Sequence, residues 1–209
     1  MLAGIKTLVF DLDGTLYVCH ELACEIKNGA SRYIASLKGV NIDDAWLLLE
    51  KTKKRLSLSS GLDATLSQAC LELGGDLKHM HHQFAEEINP ELFLKKDVGL
   101  VNLLQELEDQ FELHIYTNNN RVLTDKILKS LGVSSLFQKV FTIESFWCPK
   151  PDPSALENLY TLIGRVPAEC LFVGDRYDVD LRLPAKMGSA VFLSKNVQEL
   201  KVLPKLLYE

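Results

Sequence analysis

The feature that most constrains this chain is a recurring pair, in which a short apolar, β-favouring run breaks abruptly into polar residues. Thr7-Leu-Val-Phe10 leads into Asp11-Leu-Asp-Gly-Thr15, Phe111-Glu-Leu-His-Ile-Tyr116 into Thr117-Asn-Asn-Asn120, and Cys170-Leu-Phe-Val173 into Gly174-Asp175. Lys139-Val-Phe-Thr-Ile143 leads towards Lys150-Pro-Asp-Pro153, and Ala190-Val-Phe-Leu193 supplies a fifth run. Short apolar runs bounded by turn signals read as buried strands. Helical patterns separate them. Leu100, Leu103, Leu104 and Leu107 follow the i, i+3, i+4, i+7 rule of one buried helix face, as do Leu156, Leu159, Tyr160 and Ile163. Asp152 is placed to cap the second of these helices, Pro153 opens its first turn and Gly164 stops it, while Gly132 stops a helix carrying Leu123, Ile127 and Leu131. Alternating β and α segments predict an α/β fold built on a parallel, doubly wound, Rossmann-like sheet.

The stretch from about Glu21 to Lys96 breaks this rhythm, with helical patterns and no strand-like run. Asn41 precedes a helix with Asp44 in its first turn and Ile42, Ala45, Trp46 and Leu49 on one face, and further helices fit roughly 63–73 and 76–88. A helical segment inserted directly after the first strand is expected to sit over that strand's end as a cap. The expected division is an α/β catalytic core of 1–17 and 98–209 with a small α-helical cap of 18–97, hinged at Leu16–Cys19 and Lys95–Gly99.

Composition narrows the partners. With 209 residues, 47% of them hydrophobic and 24% charged, the chain has material for a packed core and a smaller second unit. A net charge of −5 argues against binding a nucleic-acid backbone, which needs an excess of Lys and Arg. Five cysteines without CxxC spacing favour reduced thiols over a disulfide framework or a zinc site. No secretion signal precedes Leu8-Val-Phe10, and apolar runs such as Trp46-Leu-Leu-Leu49 fall far short of the roughly 20 residues a bilayer span needs. The expectation is a cytoplasmic protein without a membrane partner.

Four polar clusters fall where predicted strands end: Asp11/Asp13, Thr117/Asn118, Lys150, and Asp175/Asp178/Asp180. In a parallel sheet those ends share one edge, so residues more than a hundred apart converge. Several carboxylates in one cleft repel each other, and a hard divalent cation held through oxygens keeps them ionised, which makes Mg2+ the natural candidate. Phosphoryl transfer needs a nucleophile, positive charge around the equatorial oxygens and a proton for the leaving alkoxide. Asp11 can attack phosphorus to give an aspartyl-phosphate, and Asp13 can protonate the leaving oxygen and then activate water. Thr117 and the backbone N–H of Asn118 can bind phosphate oxygens, Lys150 can offset charge, and Asp175 would complete the metal site.

These residues resemble the haloacid dehalogenase-like (HAD) hydrolases, whose four ordered motifs match Asp11-Leu-Asp-Gly-Thr15, Ile115-Tyr-Thr-Asn118, Lys150-Pro-Asp-Pro153 and Gly174-Asp-Arg-Tyr-Asp-Val-Asp180. The resemblance spans nearly the whole chain. It implies Asp11 as nucleophile and metal ligand, and Asp13 as acid and base with its backbone carbonyl on the metal. It further implies Thr117 and Lys150 as phosphate ligands, Asp175 as a direct metal ligand and Asp180 as a partner one step out from the metal. The insertion looks like that family's helical cap type. Tyr17, with Ser60-Gly-Leu62, bears a faint likeness to the pyrimidine 5′-nucleotidase branch. The activity implied is Mg-dependent hydrolysis of a small phosphorylated metabolite, such as a nucleotide, a sugar phosphate or phosphoglycolate. A phosphomutase or a non-catalytic binding protein of the same fold is the alternative.

Plainer readings stand beside these. An Asp-rich turn held by its own hydrogen bonds would explain Asp11 and Asp13 alone, but not three partner motifs. Asp178 defaults to structure, since acidic residues suit a helix start, and Arg176 is equally a substrate contact or a carboxylate's partner. Adjacent His79, His81 and His82 point in different directions on a helix, which favours a solvated cap face over a metal site. His114 reads as a hydrogen-bonded core residue, and Trp46 as packing.

Overall fold

A computed structural model describes residues 4–208. Five parallel strands, β1 (Thr7–Phe10), β2 (Glu112–Tyr116), β3 (Lys139–Phe141), β4 (Cys170–Gly174) and β5 (Ala190–Leu193), form one sheet in the order β3-β2-β1-β4-β5. β1 is central, pairing Phe10 with Ile115 of β2 on one side and with Val173 of β4 on the other. The chain leaves it in opposite directions on its two sides, which makes its C-terminal end the switch point where α/β sheets open a crevice. The third run stops one residue after Val140, because Thr142 caps a short helix instead of extending the strand.

Alternation along the strands explains burial on both faces. Leu8, Phe10, Leu113, Ile115, Leu171 and Val173 join one apolar cluster, whereas Val9, Cys170 and Phe172 join another beneath. The first cluster takes in Leu100, Leu104 and Leu107 of α5 (Val98–Glu108) and Leu123 and Ile127 of α6 (Arg121–Leu131). After a short α7 (Ile143–Phe146), α8 (Pro153–Ile163) covers the second through Leu156, Leu159 and Tyr160. The expected caps are in place: Asp152 Oδ1 accepts from the N–H of Ala155 at 2.8 Å, and Gly164 and Gly132 close their helices in the left-handed conformation.

Between β1 and β2 stand four helices, α1 (His20–Lys38), α2 (Ile42–Ser60), α3 (Leu66–Glu72) and α4 (Leu77–Glu87), two of them slightly shorter than the expected 63–73 and 76–88. Asn41 caps α2 by accepting from the N–H of Asp44 at 2.8 Å. The buried stripe of α2 is Ala45, Leu49 and Thr52; Ile42, expected on it, is 49% exposed because the stripe is covered only from Ala45 onward, and Trp46 is half-buried under Lys27. The histidine tract also departs from expectation. His79 and His82 are exposed, but His81 is buried with Leu77, Met80 and Phe84, whose spacing marks one helix face that includes position 81. Ile34, Leu49, Met80 and Phe84 are continuous with the apolar cluster on the sheet, so the insertion packs onto it. Polar contacts add a latch, Lys126 Nζ donating to the carbonyls of Ala85 and Ile88 at 3.1 Å each.

All five cysteines are free thiols; Cys70 and Cys170 are buried and the others half-buried. Among the described residues no helix is long and apolar enough to cross a membrane.

Candidate active site at the sheet edge

Asp11, Thr117 and Asp175 are the residues that directly follow β1, β2 and β4, and the parallel register brings them to one edge. Main-chain bonds carry the pairing past the strand ends, from the N–H of Asp11 to the carbonyl of Val173 at 2.8 Å and from that of Thr117 to Phe141 at 3.0 Å. Glycines then allow close approach. Gly14 has a φ of +82°, and a Cβ there would lie 2.5 Å from Asp175 Oδ2; at Gly174 it would lie 2.5 Å from the Cβ of Asp180. A side chain at either position would push a carboxylate out of the crevice.

Lys150 is the hub. Its ammonium, 3% exposed, donates to Asp11 Oδ1 at 2.7 Å, to Asp180 Oδ1 at 2.6 Å and to the carbonyl of Tyr116 at 2.8 Å. Burial disfavours its charge, but the carboxylates of Asp11 and Asp180 outweigh that and hold the ammonium above its ordinary range. Burial, then the charge of Asp180, push Asp11 up to about 7 against the pull of Lys150. Asp175 is also raised by burial, partly offset by Arg176, whose Nε lies 3.9 Å from Asp175 Oδ1. One ammonium therefore does not balance this edge.

The donor set fits a hard divalent cation. One oxygen each from Asp11, Asp175 and Asp180 lie within 4.8 Å of one another, and Asp175 Oδ1 is buried without a hydrogen-bond partner. Asp180, expected one step out from the metal, falls inside this cluster. The carboxylate of Asp13 does not: Tyr17 donates its hydroxyl to Oδ1, and the Asn119 amide donates to Oδ2 at 2.6 Å. Two neighbouring aspartates thus sit in different settings, one against a cation and one between neutral donors. Burial raises Asp13, while Tyr17 and the other donors draw it back.

The Thr117-Asn-Asn-Asn120 run divides its work. Thr117 is buried and its Oγ1 accepts from the N–H of Asn119 at 3.2 Å. The side chain of Asn118, of which only the backbone was anticipated to matter, accepts from the N–H of Lys150 at 2.7 Å and so fixes the lysine's loop to β2. Asn119 holds Asp13, and Asn120 caps α6 through Leu123 at 2.8 Å while donating to the carbonyl of His81 at 2.9 Å. Sequence reasoning missed the role of Asn119; its place in a polar run at a strand end was the available signal. Asp178 lies apart, accepting from the N–H of Asp63 at 3.3 Å with Arg182 3.7 Å away, as a link between insertion and core. His114 accepts from the N–H of Lys139 at 3.2 Å inside the sheet.

Known proteins resemble the chain along most of its length. A phosphoglycolate phosphatase from Aquifex aeolicus is 26% identical over 91% of this chain and 84% of its own length. A glyceraldehyde 3-phosphate phosphatase from Methanopyrus kandleri is 24% identical over 88% and 81%. Among solved structures, a HAD phosphatase from Thermococcus onnurineus shares 20% identity at a TM-score of 0.62, covering 97% of this chain and 98% of that one. A 2-haloacid dehalogenase from Pseudomonas syringae shares 18% at 0.61, covering 98% of both. Both structures share the fold. Residues 5–188 match the family model described as "Hydrolase: haloacid dehalogenase-like hydrolase", and the chain belongs to that family of enzymes.

Proposed function

We propose that this enzyme is a magnesium-dependent phosphatase that hydrolyses a small phosphate monoester through an aspartyl-phosphate on Asp11, with residues 18–97 acting as a cap over a core of 1–17 and 98–209. The observation that carries the reading is the division between Asp11, paired with Lys150, and Asp13, held between Tyr17 and Asn119. A nucleophile and an acid-base group need different environments, and these two carboxylates have them.

In this reading a carboxylate oxygen of Asp11 forms a bond to phosphorus as the ester P–O bond breaks, and protonated Asp13 gives its proton to the leaving alkoxide. Asp13, now a carboxylate, takes a proton from water as that water attacks phosphorus, which frees Asp11 and inorganic phosphate. The Thr117 hydroxyl and the Asn118 N–H bind phosphate oxygens, and Lys150 balances the charge shared by the phosphate and Asp11. Asp11, Asp175 and the carbonyl of Asp13 would hold Mg2+, with Asp180 setting Lys150. The bound cation supplies positive charge beside the phosphoryl oxygens and keeps the carboxylates ionised. The Aquifex and Methanopyrus relatives, both phosphatases, support this chemistry over dehalogenation. An acid at position 13 fits it as well, since expulsion of a halide needs no proton.

The test is release of phosphate from p-nitrophenyl phosphate with magnesium chloride. Chelation should abolish it, and Asp11→Asn should lower kcat by about 1,000-fold or more. Wild-type turnover by Asp11→Asn would remove the assigned nucleophile.

A further inference from the structure

The first two turns of α1 carry a pair of soft ligands, separate from the carboxylates of the sheet edge. His20 and Cys24 are four residues apart, so their side chains share one face of the helix. The Nε2 of His20 and the Sγ of Cys24 lie 3.5 Å apart, and no other side chain is hydrogen-bonded to either among the described residues. The imidazole is exposed and the thiol half-buried, so an ion in solution can reach both. Other thiols are placed differently: Cys70 and Cys170 are buried, and Cys19 donates to the carboxylate of Glu21 at 3.5 Å.

The separation itself is informative. A tetrahedral zinc ion with bonds of about 2.3 Å to sulfur and about 2.0–2.1 Å to nitrogen needs those two atoms about 3.5–3.6 Å apart. A thiol donating to a ring nitrogen rests at the same distance, so the unloaded pair already has the bite of a chelate and closes on an ion without moving the helix. Thiolate and imidazole are ligands for soft or borderline divalent ions, whereas magnesium prefers oxygen.

We propose that His20 and Cys24 form a reversible two-point site for a divalent cation of the zinc class. The ion binds Nε2 of the neutral ring, whose proton stays on Nδ1, and the thiolate of Cys24, whose proton passes to solvent. Water takes the two remaining positions of the tetrahedron, which keeps the site exchangeable. Its place gives it a consequence that rests on the phosphatase reading. His20 lines a cavity of about 410 Å³ that reaches Asp13, and Val18, Ala23 and Arg176 are the other exposed residues of that lining. An ion on the His20 ring therefore stands at the rim and slows turnover without touching the carboxylates within.

The experiment titrates cadmium chloride, a spectroscopic stand-in for zinc, into the reduced, magnesium-loaded protein and follows the ultraviolet charge-transfer absorption of a metal-bound thiolate. The wild type should show one saturable band that zinc chloride reverses. Cys24→Ser should lose it, His20→Gln should weaken cadmium binding by about 10-fold or more, and Cys19→Ser should leave it unchanged. Thermal unfolding without cadmium checks that each variant is folded. No band in the wild type overturns the proposal, as does a band that survives Cys24→Ser, one lost in Cys19→Ser, or an affinity unchanged in His20→Gln. With magnesium saturating, zinc should slow hydrolysis of p-nitrophenyl phosphate, and Cys24→Ser should raise the zinc concentration required by about 10-fold or more. Equal inhibition of the two proteins would place the inhibitory zinc elsewhere and overturn the consequence at the rim. A band with the expected variant pattern in a protein that releases no phosphate would defeat the phosphatase reading and leave the metal site standing.

Discussion

The sheet edge and the inserted helices both bury polar side chains, but they treat them differently. At the edge, Lys150 has three acceptors and each carboxylate oxygen of Asp13 has a donor. In the insertion the charges lie outside in exposed pairs such as Arg32 with Glu87 and Arg55 with Glu72, and the buried polar ring of His81 has no partner. The edge ties most of its polar atoms to the chain's own groups, Asp175 Oδ1 excepted, while the insertion keeps its charges at the surface and seals one unpaired ring inside.

The sharpest way to break this contrast is to remove the hub. Lys150→Met leaves Asp11 and Asp180 facing each other in a buried site, and should lower unfolding free energy by about 3–5 kcal/mol in urea and phosphate release by about 100-fold or more. An unchanged urea midpoint would show that the edge is no more committed than the insertion. Asn119→Ala frees one oxygen of Asp13. It should slow hydrolysis of an alkyl phosphate by about 10-fold or more, and of a nitrophenyl ester, whose leaving group needs little protonation, by less. Equal losses on both esters would assign Asn119 to structure alone.

The insertion is probed through pH. His81 has a folded pKa of about 4 against an ordinary 6.5, so the folded state refuses a proton that the unfolded chain accepts. Its contribution is complete above about pH 6.5 and is lost as pH falls towards 4, the loss reaching about 2 kcal/mol by pH 5. Comparing urea unfolding of the wild type and His81→Phe at pH 7.5 and 5 isolates that share, since His114, also lowered to about 4, is common to both. Identical pH dependence in the two proteins would mean that His81 titrates freely. The smallest effect belongs to Arg55→Gln, whose exposed pair with Glu72 should change stability by less than about 1 kcal/mol.

Much of the edge was legible in the sequence because its determinants are local. Asp152 and Gly164 bound α8 by the chemistry of helix ends, and a strand that breaks into Asp-Leu-Asp-Gly declares its own terminus. Topology did the rest, since parallel strands deliver Asp11, Thr117 and Asp175 to one side. The contact of Asn119 with Asp13, 106 residues away, leaves no periodic trace, and three consecutive asparagines give no sign of which faces which carboxylate. His81 was misread because two exposed histidines beside it obscured a Leu77, Met80, Phe84 stripe that the spacing does contain. Packing of the insertion on the sheet fixes both.

The central position of β1 has a consequence for how the protein is made. Thr7 pairs with Glu112 and with Cys170, so the strand that carries Asp11 leaves the ribosome well before either neighbour. At about 5–20 residues per second it waits some 5–20 s for β2 alone. The inserted helices, whose contacts are mostly local, can form during that interval and shield an apolar strand that has no sheet to join. The crevice around Asp11 is complete only when β4 docks, so a ribosome stalled earlier would leave the inserted helices beside an unfinished sheet edge.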